Sequence, residues 1–269
     1  MSTNFFDRDA AQRLKRNRWT LLSGFADQLS PDNEGARRLL IEEARGAPLD
    51  PFCPEGFRQR WFRKGCIVND QFLLEPSRVD PRTGLDVVPF DQGGANPDFP
   101  GQVRLMPAIP PHVWLNPAYR EIQERCLGIA RRATGLPRTT PLAWEHHVIR
   151  LVAKPGKPAV ATPNVVHFDD DRNRMITFII VIERDNVAGA INLITKRRCA
   201  GLAAEDVHSG DIHFKGVIER PFDGYGFIDS DVAHYVSDVG AAPGASMGAR
   251  SILIFDFVKL VREPIAIAA

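Results

Sequence analysis

The sequence predicts an α+β chain whose core is all β: a double-stranded β-helix, or cupin-like jelly roll, braced by N-terminal helices. Three observations carry this reading. From Ala143 onward the chain is strand, turn, strand, in short runs rich in Ile, Val and Phe and divided by Gly, Pro, Asp and Asn. Upstream of that point, apolar residues recur at helical spacing or give way to loops. Internal repeats and low-complexity tracts, which would point to a solenoid or a disordered arm, are missing from the sequence. A length of 269 residues suits one large domain. Residues 1–269 are therefore read as one catalytic unit, with 1–140 as mainly helical and loop support and 141–262 as the jelly-roll core.

The elements follow in order. Asp7 to Leu22 has helical spacing, with Phe6, Ala10, Leu14 and Leu21 on one side. Ser30-Pro31-Asp32 opens a second helix that runs to about Ala44, before Gly46. Residues 48–60 form a Pro-rich connector, and 61–75 hold a strand pair. Residues 76–111, rich in Pro, Gly, Asp and Asn, read as a long surface loop with an extended piece at Leu85 to Phe90. Asn116-Pro117 starts a helix that continues to Thr134 and stops at Gly135. The strand runs are then WEHHVIRLVA, VVHFD, RMITFIIVIER, GAINLITKR, GDIHFKGVI, GFIDSDVAHYVSDV and RSILIFDFVKLV.

Composition excludes several classes of function. With 34 Lys plus Arg against 33 Asp plus Glu, nothing in the overall charge argues for nucleic acid or an anionic membrane. The basic cluster from Arg13 to Arg18 reads as a solvated helix face. Cys53, Cys66, Cys126 and Cys199 lack a CxxC spacing, so they read as free thiols in a reducing compartment. The N-terminus is too charged for a signal peptide. No apolar stretch reaches the roughly 18 residues of a membrane span. The expected location is cytoplasmic; the oligomeric state is not legible.

The chemistry lies in four residues. His167 and Asp169 form a His-x-Asp pair, His234 follows 65 residues after Asp169, and Arg250 comes 16 residues later at the head of an apolar run. Residues two apart on a strand point to the same side, so His167 and Asp169 project together if HFD is extended. A histidine from a distant strand of a rolled barrel supplies the third ligand. Two imidazoles and one carboxylate on one face of an octahedron suit Fe(II) and leave positions open for oxygen chemistry. His213 in DIHFKG is the main rival for the third position. His208 sits in a turn, His112 in a loop, and of His146 and His147 one faces inward and the other outward. Arg250 entering a buried run needs an opposite charge, and guanidinium pairs bidentately with carboxylates. A 2-oxo diacid meets that need, with a salt bridge to Asp256 as the alternative.

These residues carry a resemblance. Pro163 to Asp169 (PNVVHFD), followed by MITFIIVIERDNVAGAINLI, resembles the bacterial iron(II)/2-oxoglutarate-dependent dioxygenases that hydroxylate free amino acids, of the L-isoleucine 4-hydroxylase type. The matching positions are His167, Asp169, Arg184, Asn186, Gly189, His234, Arg250, Asp256 and Phe257, mainly within residues 140–260. Asp170 and Ala190 stand where that family has glycines. The resemblance implies Fe(II) on His167, Asp169 and His234, and 2-oxoglutarate as co-substrate paired with Arg250. Dioxygen is the other reactant, succinate and CO2 are the by-products, and the product is hydroxylated at an unactivated carbon. Related halogenases lack the carboxylate, so Asp169 favours hydroxylation. The implied substrate is a free L-amino acid, apolar or a cyclic imino acid such as pipecolate or proline, with Asp170, Asp171 and Arg174 as candidate contacts. The alternatives are an oxygenase of peptides or other small metabolites, a zinc or manganese cupin, and a non-catalytic cupin-like binding protein.

Overall fold

The computed structural model describes residues 5–91, 101–169 and 174–260, with the backbone alone at 174 and 175. Its helical half comprises α1 (Phe5–Asn17), β1 (Trp19–Leu22), α2 (Glu34–Arg45), β2 (Arg58–Val68), β3 (Gln71–Leu74), β4 (Arg78–Val79), β5 (Asp86–Phe90), β6 (Arg104–Pro107), α3 (Pro111–Trp114) and α4 (Pro117–Thr134). The strand-rich half comprises β7 (Leu142–Ala153), β8 (Arg174–Asp185), β9 (Val187–Gly189), β10 (Asn192–Lys196), β11 (Ile212–Gly216), β12 (Gly224–Phe227), β13 (Val232–Val236), β14 (Val239–Ala241) and β15 (Gly248–Lys259).

The major sheet has the order β1-β12-β8-β15-β7-β2-β3, and the minor sheet the order β11-β10-β13. The architecture is the expected jelly roll with helices on one face. Three strands of the major sheet come from the N-terminal half, outside 141–262.

The central strands are apolar on both sides because each side has something to cover. On β15, Leu253, Phe255 and Phe257 face the helices, packed with Leu14, Leu40 and Ile122. The alternate residues Arg250, Ile252, Ile254 and Asp256 line a cavity on the other face. β8 repeats the pattern, with Phe178 and Ile180 in the helix-side core and Thr177 and Ile179 on the cavity. Burying each large side chain contributes about 1.5–3 kcal/mol, so the helix layer is integral to the fold. Glu183 ties the layers together: it accepts from Arg45 of α2 at 2.7 Å, from Arg150 of β7 at 3.3 Å and from Ser251 of β15 at 2.5 Å.

The predicted caps of α4 are present. The Asn116 side chain accepts from the backbone N–H groups of Ala118 and Tyr119 at 2.9 and 3.2 Å, and Gly135 closes the helix at φ 71°.

Three expectations need correction. The first helix ends at Asn17, not Leu22; Arg18 turns left-handed at φ 69°, and Trp19–Leu22 pairs with β12. That long-range ladder outweighs the local helical spacing. The stretch 76–111 is not simply a loop, because β4, β5 and β6 form a small sheet. Val88, Phe90 and Met106 of that sheet bury themselves against Phe62 of β2. His112, expected in a loop, lies in α3 and pairs with Glu43 at 2.8 Å. Among the described residues, no helix is long and apolar enough to cross a membrane. All four cysteines are free thiols.

Candidate active site

His167 and His234 are brought together by the backbone before their side chains meet. Each donates its N–H to the other's carbonyl, at 2.9 and 2.7 Å, in a one-pair antiparallel bridge. VVHFD is therefore not the expected strand. Past the bridge the chain bends, and the backbone N–H of Asp169 donates to the Asp229 carboxylate at 3.0 Å. Phe168, between the two predicted ligands, sits under the Arg197 guanidinium at 4.1 Å. His167 and Asp169 still reach the same point.

One ligand atom from each of His167, Asp169 and His234 lies within 4.8 Å of the others. Nε2 of His167 is 3.9 Å from Asp169 Oδ1, and Nε2 of His234 is 3.5 Å from Asp169 Oδ2. Donor atoms roughly 2 Å from one ion lie about 3 Å from their neighbours, so little closure is needed. Nδ1 of His167 donates to the Val165 carbonyl at 2.8 Å. That bond fixes the tautomer and leaves the Nε2 lone pair for a metal. The Asp229 carboxylate is wholly buried, and it stands 3.8 Å from Nδ1 of His234 as well as accepting from Asp169. One buried carboxylate thus holds the backbone of Asp169 and stands behind the His234 ring.

Of the rival histidines, His213 is exposed on β11, and His208 accepts from the backbone N–H of Gly210. His147 faces the cavity, while His146 is buried on the helix side and shares a hydrogen bond with Tyr119 at 3.0 Å. Burial holds the His146 imidazole well below its usual range.

The cavity has a volume of about 130 Å³, and His167, Asp169 and His234 sit in its wall with Arg250. Arg250 is 3% exposed and donates to Asn192 Oδ1 at 3.2 Å; Tyr225 donates to the same oxygen at 3.2 Å. Among the described residues no carboxylate forms a salt bridge with Arg250. Asp256 instead accepts from Thr177 at 2.5 Å, so the alternative pairing of Arg250 with Asp256 is not made. Burial lowers the Arg250 pKa, and the nearby Arg184 adds to the effect. Among the described residues this is a buried cation without an internal counter-charge, the arrangement that a ligand carboxylate relieves.

Arg184 and Gly189 shape the turn after β8. Arg184 donates to the carbonyls of Val187 and Gly189, both at 3.1 Å. Asn186, Gly189 and Ala190 adopt positive φ of 50°, 75° and 54°. Ala190 thus keeps the left-handed backbone without the glycine.

Asp170 and Asp171 lie outside the described residues, as does the side chain of Arg174. Sequence reasoning gave no role to Asp229, Asn192, Tyr225 and Arg60, and of His147 it said only that either it or His146 faces inward. The only signal was their polarity within apolar strands or turns, and that signal names no partner.

The sequence model of the family described as 2OG-Fe dioxygenase matches residues 44–256. No curated protein matches the chain. Among solved structures, IDO from Bacillus thuringiensis superposes with a TM-score of 0.71 at 15% identity, covering 97% of this chain and 99% of that one. A bsmA homolog from Methylobium petroleophilum PM1 gives a TM-score of 0.69 at 14% identity, covering 96% and 95%. The Fe(II)/(alpha)ketoglutarate-dependent dioxygenase TqaL gives 0.68 at 14%, covering 98% and 93%. At such identities these likenesses establish a shared fold.

Proposed function

This chain belongs to the 2OG-Fe dioxygenase family, which uses Fe(II) and 2-oxoglutarate, and from that membership we propose that it hydroxylates an unactivated carbon of a free L-amino acid. The observation that carries the assignment of residues is the convergence of His167, Asp169 and His234 on one point of the cavity wall. These three hold Fe(II), and Arg250 receives the distal carboxylate of 2-oxoglutarate. When bound, iron and 2-oxoglutarate supply the oxidising power: 2-oxoglutarate and dioxygen become succinate and CO2 while one oxygen atom enters a substrate C–H bond.

The chain's own residues bind, orient and exclude water. The Val165 carbonyl keeps the His167 proton on Nδ1, and Asp229 steadies the backbone of Asp169. Asn192 accepts from the Arg250 guanidinium, and the Tyr225 hydroxyl steadies Asn192 by donating to the same oxygen. Ile149, Ile179, Ile252 and Ile254 give the cavity an apolar middle, which favours the hydrocarbon part of a small substrate and sheds water. The cyclic imino acids pipecolate and proline and the branched apolar amino acids fit that description. A cavity of about 130 Å³ supports a free amino acid over a peptide.

The test is incubation of iron-loaded protein with 2-oxoglutarate, ascorbate and each free amino acid. Mass spectrometry should find a product heavier by one oxygen, in step with succinate. Product from a peptide or carrier-bound aminoacyl group, with none from any free amino acid, overturns the substrate and leaves the oxygenase standing.

A further inference from the structure

A second charged wall lies in the same cavity, two strands away from Arg250. Arg60 of β2 pairs in register with Ile149 of β7, which pairs with Ile252 of β15. Arg60 is 8% exposed and lines the cavity. Its neighbour Arg58 is satisfied: it donates to Asp50 at 2.7 Å and to Thr162 at 2.6 Å. Arg60 is not. The Asp50 carboxylate that Arg58 occupies lies 3.8 Å from Arg60, and the buried Nε of Arg60 has no hydrogen-bond partner. A further guanidinium, Arg104, shares the Phe90 ring with it: Arg60 stands 5.0 Å and Arg104 4.8 Å from the ring centroid. Burial above all pushes the Arg60 pKa down to about 9, so it is still a cation at neutral pH.

The wall continues into an acid. Arg60 shares a hydrogen bond with Nδ1 of His147 at 2.9 Å. Guanidinium has no acceptor, so Nδ1 accepts and the His147 proton sits on Nε2. Nε2 lies 4.0 Å from Asp256 Oδ2, and Asp256 also accepts from Thr177. Arg60, His147, Asp256 and Thr177 therefore form a diagonal across β2, β7, β15 and β8, and all four line the cavity. One end is a guanidinium whose Nε has no hydrogen-bond partner, and the other is a carboxylate. His147 between them hydrogen-bonds Arg60 and stands 4.0 Å from Asp256. A monocarboxylic acid would satisfy only the first end and an amine only the second.

We propose that this diagonal reads the zwitterionic head of the substrate, Arg60 taking the α-carboxylate and Asp256 the α-ammonium. The proposal rests on the free-amino-acid reading above and adds which residues enforce it. Arg250 is left to the co-substrate, and Arg60 becomes the specificity-determining cation for the substrate. The apolar residues between the two walls then face the side chain that is oxidised.

The experiment titrates L-isoleucine, L-proline and L-pipecolate, their carboxamides and their deaminated acids into the iron-loaded protein with 2-oxoglutarate under anaerobic conditions, by calorimetry. Wild type binds the amino acids and loses about 30-fold or more in affinity for the carboxamides, a loss that requires no variant to fold. Arg60→Met loses as much for the amino acids and no longer distinguishes them from their carboxamides; Arg60→Lys recovers part of it. Asp256→Asn weakens the amino acids but not the deaminated acids. The dissociation constant for 2-oxoglutarate stays unchanged in Arg60→Met, which also shows that the cavity is formed. Wild type that binds amino acid and carboxamide equally refutes the carboxylate contact. An Arg60→Met protein that binds amino acid normally but has lost 2-oxoglutarate reassigns Arg60 to the co-substrate. These results would sink the diagonal alone. Hydroxylation only of a substrate without a free carboxylate, seen by mass spectrometry under air, would sink the free-amino-acid reading itself.

Discussion

Replacing Arg250 by Met separates the energetics of folding from those of binding. The guanidinium is 3% exposed, and among the described residues its one hydrogen bond is to a neutral amide at 3.2 Å. Its burial is uncompensated by any ion pair among the described residues, and a hydrogen bond of this kind contributes only about 0.5–3 kcal/mol. Met fills similar space without a charge, so the folded state should lose little and can gain. Binding is different. Truncating one partner of a buried charge pair costs about 2–5 kcal/mol, which at about 1.4 kcal/mol per decade is a rise of roughly 30-fold to 3000-fold in the 2-oxoglutarate requirement. Two assays follow: succinate formation against 2-oxoglutarate concentration, and thermal unfolding with and without 2-oxoglutarate. The expected pattern is a large rise in the requirement, loss of the ligand-induced stabilisation, intact iron binding and an unfolding temperature without ligand that does not fall. An unchanged 2-oxoglutarate requirement would refute the assignment. A ligand-free protein destabilised by more than about 2 kcal/mol would show that Arg250 is structural.

Other perturbations have outcomes set by the same structure. His167→Ala and His234→Ala should each abolish turnover and greatly weaken iron binding with the fold retained, whereas His213→Ala, on an exposed strand position, should change neither; metal analysis after desalting checks this. Asp229→Asn should lower iron affinity by about 10–100-fold, because it perturbs the groups behind two ligands, and the same metal titration reads it. Gly189→Ala places a Cβ 2.3 Å from the Asp238 carbonyl oxygen at φ +75°. Backbone must shift, so chemical denaturation should show a loss of about 2 kcal/mol or more. Burial depresses the His146 pKa, so the folded state resists a proton that the unfolded chain accepts below the ordinary value of 6.5. Stability should therefore fall as pH drops below about 6.5, by up to about 1.4 kcal/mol per unit from this group. The double variant His146→Phe with Tyr119→Phe should flatten that slope in denaturation curves; an equal slope would refute it.

The sequence by itself determined the parts of this protein that are written along one strand or one helix. The alternation on β15 already separates Arg250 from Leu253, Phe255 and Phe257, because period two assigns faces wherever the strand lies. Asn116, Pro117 and Gly135 mark α4 because caps act within a few residues of their own helix. His167, Asp169 and His234 were legible as a set through residue type and order. The tertiary structure decided what depends on contacts between distant segments. The extended HFD strand that the pattern implied is replaced by a single bridge and a bend, because Asp229, 60 residues away, captures the Asp169 N–H. Trp19–Leu22 leaves its helix because β12 offers a ladder. His146 and His147 look alike in sequence, and only the placement of α4 and β2 sends one beneath Tyr119 and the other towards Arg60. Arg58 and Arg60 likewise differ in what the fold sets opposite them: one has Asp50 and Thr162, and the other has His147 and keeps a buried Nε without a hydrogen-bond partner. A local pattern fixes which way a side chain points from its own backbone; which charge it meets there depends on the strands that folding brings alongside.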